Sequence, residues 1–182
     1  PTAVDKFIGL THERYYGEFS RFFPSVIDSA FYDEPNLYRA QGRAWTDSFN
    51  ERFEAEHGYD PKLLYPALWH DIGPDTASAR NALLGFRARL YAEGFPRRVN
   101  QWCRDHGIRL TGHVDQEEVV NPVGITGDLM KSFKHQDIPG IDEIFFPRRS
   151  RKAYKVVSSS AFNWGKSQVM CETFGAMGEQ IS

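Results

Sequence analysis

The chain has 182 residues, of which 41% are hydrophobic and 14% aromatic, and its formal net charge at pH 7 is −2. This length predicts one domain, residues 1–182, with a sizeable core. The near balance of basic and acidic residues gives no support for binding to nucleic acid or to a membrane surface. Two cysteines, Cys103 and Cys171, are too few for a disulfide framework, and both are expected to be free, buried thiols.

Hydrophobic periodicity and turn residues divide the chain into alternating helices and short apolar strands. In chain order, the predicted elements are a helix over 3–23, a strand over 25–32, a loop over 36–45, helices over 46–57 and 75–106, a strand over 108–114, a helix over 127–135, a strand over 141–146, a helix over 151–164 and a strand over 167–171. Pro96 is expected to kink the long helix over 75–106, and Pro139-Gly140 is expected to form a turn. This alternation is typical of βα units on a parallel sheet.

Four such units are compatible with two architectures. They form either a sector of an eight-stranded (β/α)8 barrel or an open parallel α/β sheet. No glycine-rich phosphate-binding loop follows a predicted strand, which argues against an open sheet that binds nucleotides.

Polar side chains stand at the end of every predicted strand. These residues are Asp33, Glu34, His113, Asp115, Asp142, Glu143 and Glu172. One acid at a strand end is more often a helix cap or a solvated loop residue than a catalyst. Parallel strands, however, deliver these side chains to the same rim, where α/β barrels carry their active sites. Two carboxylates across such a rim are what glycoside cleavage requires.

Glu34 and Glu172 are the candidate catalytic residues. Phe31, Tyr32 and Pro35 surround Glu34 with apolar groups and Asp33 adds a like charge, so we expect a raised pKa and the role of general acid. Glu172 precedes Thr173 and a small-residue turn that can donate to its charged form, which favours a base or nucleophile. The alternative for Glu172 is a buried structural acid paired with an arginine.

The candidate substrate-binding residues are Asp33, His113, Asp115, Asp142, Trp69 and Trp164. His113 follows Gly112 and is expected either to bind a sugar hydroxyl or to be a satisfied histidine of the rim. The two tryptophans are candidates for stacking on a sugar, although a single tryptophan is more often part of a core. The spacing of histidines and cysteines predicts no metal site.

Several short motifs occur in an order that resembles one enzyme family. They are Phe31-Tyr32-Asp33-Glu34-Pro35, Gly58-Tyr59-Asp60, Trp102-Cys103-Arg104-Asp105-His106-Gly107-Ile108, Thr111-Gly112-His113, Gly127-Asp128, Asp137-Ile138-Pro139-Gly140-Ile141-Asp142 and Glu172-Thr173-Phe174-Gly175-Ala176. Together they resemble the catalytic barrel of bacterial glycoside hydrolases of family 106, the α-L-rhamnosidases and their relatives. The resemblance implies that this chain is the sector from about the fourth to the seventh strand. It also implies that Glu34 and Glu172 are the two catalytic glutamates, that the reaction inverts the anomeric centre, and that calcium is used.

The expected function is therefore cleavage of a terminal, α-L-rhamnoside-like sugar from a plant or microbial polysaccharide. The alternative is a non-catalytic carbohydrate-binding or scaffold α/β domain. The expected partners are a carbohydrate and the remainder of the barrel, without nucleic acid or membrane. The residues do not indicate localisation; the resemblance implies a periplasmic or secreted bacterial protein. A chain of four barrel strands alone is expected to self-associate through its open edges and to be inactive.

Overall fold

A computed structural model describes residues 2–35, 45–115, 117, 126–144, 151–173 and 175. The α-helices are α1 (Thr2–Leu10), α2 (His12–Phe19), α3 (Phe49–His57), α4 (Thr76–Gly94), α5 (Pro96–Asp105), α6 (Leu129–Lys134) and α7 (Arg151–Asn163). The strands are β1 (Ser29–Asp33), β2 (Arg109–His113), β3 (Ile138–Glu143) and β4 (Met170–Thr173), and two 3-10 helices span Ser20–Phe22 and Pro61–Leu68. In this described part of the chain, no helix has the length and apolar character needed to cross a membrane.

The four strands form one all-parallel sheet in the order β1-β2-β3-β4, which is also their order along the chain. The register places Asp33 beside His113 at the ends of β1 and β2. It also places Asp142 beside Glu172 on β3 and β4. The fold is therefore a mixed α/β structure built on an open parallel sheet, as the alternation of predicted elements indicates.

Successive strand residues point to opposite faces of the sheet, and the helices of the main core pack against one of these faces. The buried cluster on that face joins Tyr32, Leu110 and Ile141 of the strands to residues of α1, α5, α6 and α7. Its helical members are Ile8, Val99, Trp102, Cys103, Leu129, Phe133, Ala153 and Val157. The opposite face carries the alternate residues of each strand, and Phe31 there is 52% exposed.

A second, smaller core lies outside the sheet. Phe49 and Phe53 of α3 pack against Leu83 and Phe86 of α4, and all four side chains are buried. The ring of Phe86 meets the two α3 rings edge-on, with centroids 4.9 and 5.2 Å away. The proline-rich stretch Pro61–Leu68 packs onto α4 and completes this unit. The chain thus makes a folded excursion between β1 and α5.

The structure corrects two predicted helices. The helix expected over residues 3–23 is divided at Thr11, whose hydroxyl donates a 2.7 Å hydrogen bond to the Phe7 carbonyl. The backbone N–H of Thr11 also bonds to the Phe7 carbonyl, at 3.0 Å, and a side-chain bond added to the same carbonyl bends a helix. The helix expected over 75–106 is not merely kinked but separated into α4 and α5 at Pro96, which has no N–H and occupies the first turn of α5.

The predicted strands are displaced along the chain. The first begins at Ser29 and not at Ser25, because the backbone N–H groups of Val26 and Ile27 bond to the Phe22 carbonyl in a turn. The third begins at Ile138, so Pro139-Gly140 lies within β3 and is not a turn. The fourth spans Met170–Thr173, which places Glu172 inside the strand. The predicted loop over 36–45, except residue 45, and the predicted strand residues 145–146 lie outside the described residues.

Gly112 and Gly140 allow three strands to approach closely. Gly112 has a φ of +124°, and a Cβ atom there would lie 2.2 Å from the Tyr32 carbonyl oxygen. A Cβ on Gly140 would lie 2.4 Å from the Gly112 carbonyl oxygen. The buried Gln136 side chain donates a 2.8 Å hydrogen bond to that same Gly112 oxygen. Glycine at these two positions is therefore required by the spacing of the strands.

Replacing Gly112 with alanine is expected to destabilise the fold by about 3 kcal/mol, because backbone strain and overpacking act together. The measurement is the free energy of unfolding from urea denaturation. Gly85→Ala is the matched control: Gly85 lies in α4, and a Cβ atom added there would meet no atom of a neighbouring element within 4 Å. This change is expected to stabilise the helix by about 0.5–1 kcal/mol. Equal effects of the two changes would contradict the close-approach argument.

The exposed Phe31 on the sheet face opposite the main core is expected to cause self-association of the chain. Phe31 on that face is the residue to change, because Phe31→Thr removes apolar surface and keeps a good strand former. The variant is expected to have a smaller apparent mass than the unmodified chain in size-exclusion chromatography with light scattering. Leu63→Thr is the control, since Leu63 is 86% exposed but lies on the 3-10 helix away from the sheet. A monodisperse monomer before any substitution would refute this prediction.

Candidate functional site

The residues expected at the strand ends come together on the face of the sheet opposite the main helix-packed core. Asp33, His113, Asp142 and Glu172 belong to β1, β2, β3 and β4 in that order. Asp33 pairs with His113 and Asp142 with Glu172, and the pairing of Gly112 with Pro139 aligns β2 with β3, so the four side chains lie on one face. Four neighbouring strands therefore contribute one polar residue each to a single cluster.

His113 lies at the centre of this cluster. Its Nε2 is 3.1 Å from Oε2 of Glu172, at hydrogen-bonding distance, and 3.4 Å from Oδ1 of Asp33. The imidazole is 2% exposed, whereas the Glu172 side chain is 48% exposed. The edge of the Phe31 ring packs on the imidazole, with centroids 5.7 Å apart. The buried imidazole of His113 thus contacts two carboxylates that face solvent.

The other ring nitrogen of His113 faces a buried acid. Its Nδ1 is 3.9 Å from Oε1 of Glu117, and this oxygen accepts a 3.1 Å hydrogen bond from the backbone N–H of Val114. The Glu117 side chain is fully buried. Within the described part of the chain, His113 Nδ1 has no hydrogen-bond partner. The ring is therefore held between solvent-facing carboxylates on one side and a buried carboxylate on the other.

Glu34 follows β1 directly and has an unusual backbone. Its φ of 44° lies in the left-handed region, which non-glycine residues adopt at a cost and often at functional sites. Its N–H donates a 3.2 Å hydrogen bond to the His113 carbonyl. The buried hydroxyl of Tyr91 on α4 donates to the carbonyl of Pro35, the next residue. These two bonds attach the strained turn to β2 and to α4.

The pKa of Glu34 is raised above its ordinary value, first by burial and then by the negative charges of Asp115 and Asp142. The nearby His113 opposes this shift, and Asp33 adds to it. Like charges and burial both favour the protonated form of a carboxyl group. The expectation that Glu34 has the character of an acid thus agrees in direction with its surroundings, although Asp115 and Asp142 contribute more than the adjacent Asp33.

The remaining predicted residues are distributed differently. Asp115 is buried just beyond β2 and acts on Glu34 through its charge. Glu143 is buried on the opposite side of β3 from Asp142, where it influences Tyr154 of α7. Two neighbouring acids of one strand therefore belong to different environments.

The two tryptophans are not brought into this cluster. Trp69 follows the 3-10 helix of the excursion and is 73% exposed. Trp164 follows α7, where the chain turns back towards the start of β4, and its Nε1 donates a 3.1 Å hydrogen bond to the Met130 carbonyl. The ammonium of Lys134, at the end of α6, lies 5.0 Å from its ring centroid. Trp164 is thus at the amino-terminal side of the sheet, away from the strand ends.

Two overlapping groups of side chains bring three potential metal-ligand atoms within 4.8 Å of one another. One group is Asp33, Glu34 and His113, and the other is His113, Glu117 and Asp142. Calcium takes six to eight oxygen ligands, whereas each group offers one imidazole nitrogen and two carboxylate oxygens. Each of these two groups of described residues offers fewer ligand atoms than calcium takes.

A cavity of about 620 Å³ adjoins the cluster. Glu117 forms part of its wall, together with residues of α4, α6 and α7. Its other charged lining residues include Lys131, Lys152 and Lys155. The cavity and the strand-end cluster therefore share a buried carboxylate, but the solvent-facing acids Asp33 and Glu172 do not line the cavity.

Two residues of the site were not among the sequence candidates. Glu117 lies four residues after His113 and contacts its ring, and the acid-rich run beginning at Asp115 was a signal that could have indicated it. Tyr91 lies 56 positions from Pro35, and no local sequence signal connects them. It appears in the sequence only as one apolar position of a long helical pattern.

The raised pKa of Glu34 makes a prediction about stability. A folded-state pKa above the unfolded value means that the folded chain binds the proton more tightly, so this contribution is complete below the ordinary pKa and is lost as the pH rises through the raised value. Glu34→Gln removes this pH-dependent loss of stability, because glutamine does not ionise. The Tm of the variant minus that of the unmodified chain is expected to increase between about pH 4 and pH 8. Thermal melts at several pH values measure it.

Asp60→Asn is the control of opposite sign. The backbone N–H of Lys62 donates to Asp60 and lowers its pKa, so its stabilising contribution is present above the ordinary pKa and is lost as the pH falls. The Tm difference for this variant is expected to become more negative as the pH rises. A Glu34→Gln curve with the same slope as the Asp60→Asn curve would contradict the assignment of a raised pKa to Glu34.

Comparisons of the chain with protein-family models, with curated proteins and with solved structures found no match. The resemblance to family 106 glycoside hydrolases therefore rests on the motif residues themselves. What the structure adds is the geometry of a polar cluster on one face of a parallel sheet, in which Glu34, Asp33 and Glu172 surround His113.

Proposed function

We propose that this chain is a sector of a glycoside hydrolase barrel that cleaves a terminal, α-L-rhamnoside-like sugar with two carboxylates. The observation that carries the proposal is the grouping of Glu34, which follows β1, and Glu172 of β4 around the buried His113 of β2. Glycoside cleavage requires one protonated and one ionised carboxyl group beside the same bond. The cluster offers candidates for both.

The order of the strands supports the barrel part of the proposal. In a barrel, strands follow one another around the sheet in chain order and helices cover only the outer face. The strand order β1-β2-β3-β4 and the packing of the main core on one face match these two features of a barrel. A doubly wound sheet instead reverses its strand order and carries helices on both faces. The proposal includes further strands that would pair with the edges of β1 and β4.

Glu34 is the proposed general acid. Its raised pKa favours a carboxyl group that still holds its proton when the substrate binds. The strained φ of Glu34 and the Tyr91 bond to Pro35 fix the turn that carries it. A general acid must remain in place while the leaving oxygen takes its proton, and an attached turn meets this requirement.

Glu172 is the proposed second carboxylate, either the base that activates water or the nucleophile. Its side chain is half exposed and so is open to water or to a sugar carbon, while His113 Nε2 holds one of its oxygens. The resemblance implies inversion, in which a water molecule stands between Glu172 and the sugar.

A non-catalytic carbohydrate-binding domain is the second candidate. Phe31 favours it, because this ring is half exposed beside His113 and could stack on a sugar face. Trp69 and Trp164 do not strengthen it, since neither joins the cluster. A binding domain needs the aromatic ring and His113, whereas an enzyme also needs both glutamates. Substitution of the glutamates distinguishes the two candidates.

The activity test uses the full gene product, because the proposal includes further barrel strands. Glu34→Gln is expected to reduce cleavage of rhamnosides with poor leaving groups roughly 10²- to 10⁴-fold and to spare activated aryl rhamnosides far more, since these need little protonation. Glu172→Ala is expected to abolish cleavage of both substrates. Release of rhamnose and of the aryl group measures the two rates.

Glu18→Gln is the matched control, because Glu18 is an exposed residue of α2 paired with Arg14. It should leave both rates unchanged. If Glu34→Gln reduced both substrates equally, the role of acid would be wrong. If the gene product bound rhamnosides but cleaved none, and binding were insensitive to both glutamate substitutions, the carbohydrate-binding candidate would replace the enzyme.

A further inference from the structure

We infer that His113 is a positioning residue that holds the Glu172 carboxylate in one orientation, and that buried Glu117 in turn confines the histidine ring. The consequence for cleavage rests on the proposed function, but the coupling between the two side chains does not. His113 would then act through Glu172 and not as a ligand of the sugar.

The distances distinguish Glu172 from the other acids around the ring. Glu172 Oε2 lies 3.1 Å from Nε2, whereas Asp33 Oδ1 lies 3.4 Å away and forms the longer contact. Glu172 comes from β4 and His113 from β2, so the bond spans the sheet across β3. A supporting hydrogen bond of this kind locks the rotamer of the side chain that it contacts.

The burial of the ring prevents it from turning away from Glu172. His113 is 2% exposed, with Phe31 packed on its ring. The charged groups that face it are Asp33, Glu34, Glu117, Asp142 and Glu172. Asp33 and Glu34 lie at the end of β1, Asp142 on β3 and Glu172 on β4, while Glu117 lies beyond β2. Carboxylates from β1, β3, β4 and the segment after β2 therefore surround the imidazole.

The chemistry of imidazole then assigns the proton. A neutral histidine has one N–H and one lone pair, and the lone pair cannot donate to a carboxylate. The close contact with Glu172 requires Nε2–H as the donor. Nδ1 is enclosed beside Glu117, which its backbone bond to Val114 keeps in place. An Nε2–H that already donates to Glu172 is not open to a sugar hydroxyl, which favours positioning over substrate binding.

The first experiment measures the coupling without any activity. The full gene product is labelled with ¹⁵N-histidine, and long-range ¹H–¹⁵N spectra report the protonation and environment of each ring nitrogen. His113 is expected to carry a proton on Nε2, and Glu172→Gln is expected to shift its Nε2 resonance. Glu172 is half exposed, so this substitution should not unfold the chain.

Glu93→Gln is the matched control for the spectra. Glu93 Oε1 lies 3.3 Å from Nε2 of His135, so this change is expected to move the His135 resonances and to leave those of His113 unaltered. An unprotonated Nε2 on His113, or a His113 resonance that does not respond to Glu172→Gln, would overturn the inference.

The second experiment separates positioning from simple structural support. In the full gene product, His113→Gln places a carboxamide N–H near the position of Nε2, whereas His113→Asn reproduces only the position of Nδ1. His113→Asn is expected to lower kcat about 10²-fold with little change in KM, as misplacement of a reacting group does. His113→Gln is expected to restore most of kcat.

Equal loss in both variants, or a loss confined to KM, would overturn the inference. Failure of the proposed function has a different signature. If the spectra show the coupling but the gene product cleaves no rhamnoside, then the positioning of Glu172 by His113 stands and the assignment as a glycoside hydrolase is wrong.

Discussion

The close approach of three strands at Gly112 is the constraint on which the rest of the structure depends. Its carbonyl oxygen accepts the Gln136 amide, and neither Gly112 nor Gly140 leaves space for a Cβ atom between the strands. The Gln136 carbonyl oxygen also receives a longer 3.4 Å bond from the Gly140 N–H. One buried side chain thus connects β2 to β3, and the next residue of β2 is His113. The alignment of the polar cluster follows from this packing.

The cluster concentrates acidic side chains at the end of the sheet, and these carboxyl groups differ in their exposure to solvent. The side chains of Asp33 and Glu172 face solvent, whereas that of Glu34 is partly buried and its pKa is raised. His113 is the neighbouring group that opposes the rise. Carboxylates with different proton affinities in one place are the usual basis of acid–base chemistry in proteins.

The sequence was sufficient to predict the parallel α/β class and the strand-end residues, because hydrophobic alternation and flanking acids are local signals. The boundaries of the strands are predicted less accurately than the fold class. Pro139-Gly140 resembles a turn locally, and only the contact of Gly140 with Gly112 explains why it lies in β3. The roles of Tyr91 and Glu117 depend on contacts made through folding, which no pattern of residue types encodes. Residue type is the only sequence signal for Trp69 and Trp164, and their position in the fold separates them from the cluster.

The excursion between β1 and α5 has its own aromatic core, in which Phe53 and Phe86 are buried without help from the sheet. Its described connections to the site are few, and the Tyr91 bond to Pro35 is one of them. In an excursion of this kind, residues can be substituted and the length can change while the strand register stays the same. Sequence changes on the exposed surface of this module are therefore expected to leave the strand register and the carboxylate cluster in place, so this part of the chain is free to evolve separately from the sheet.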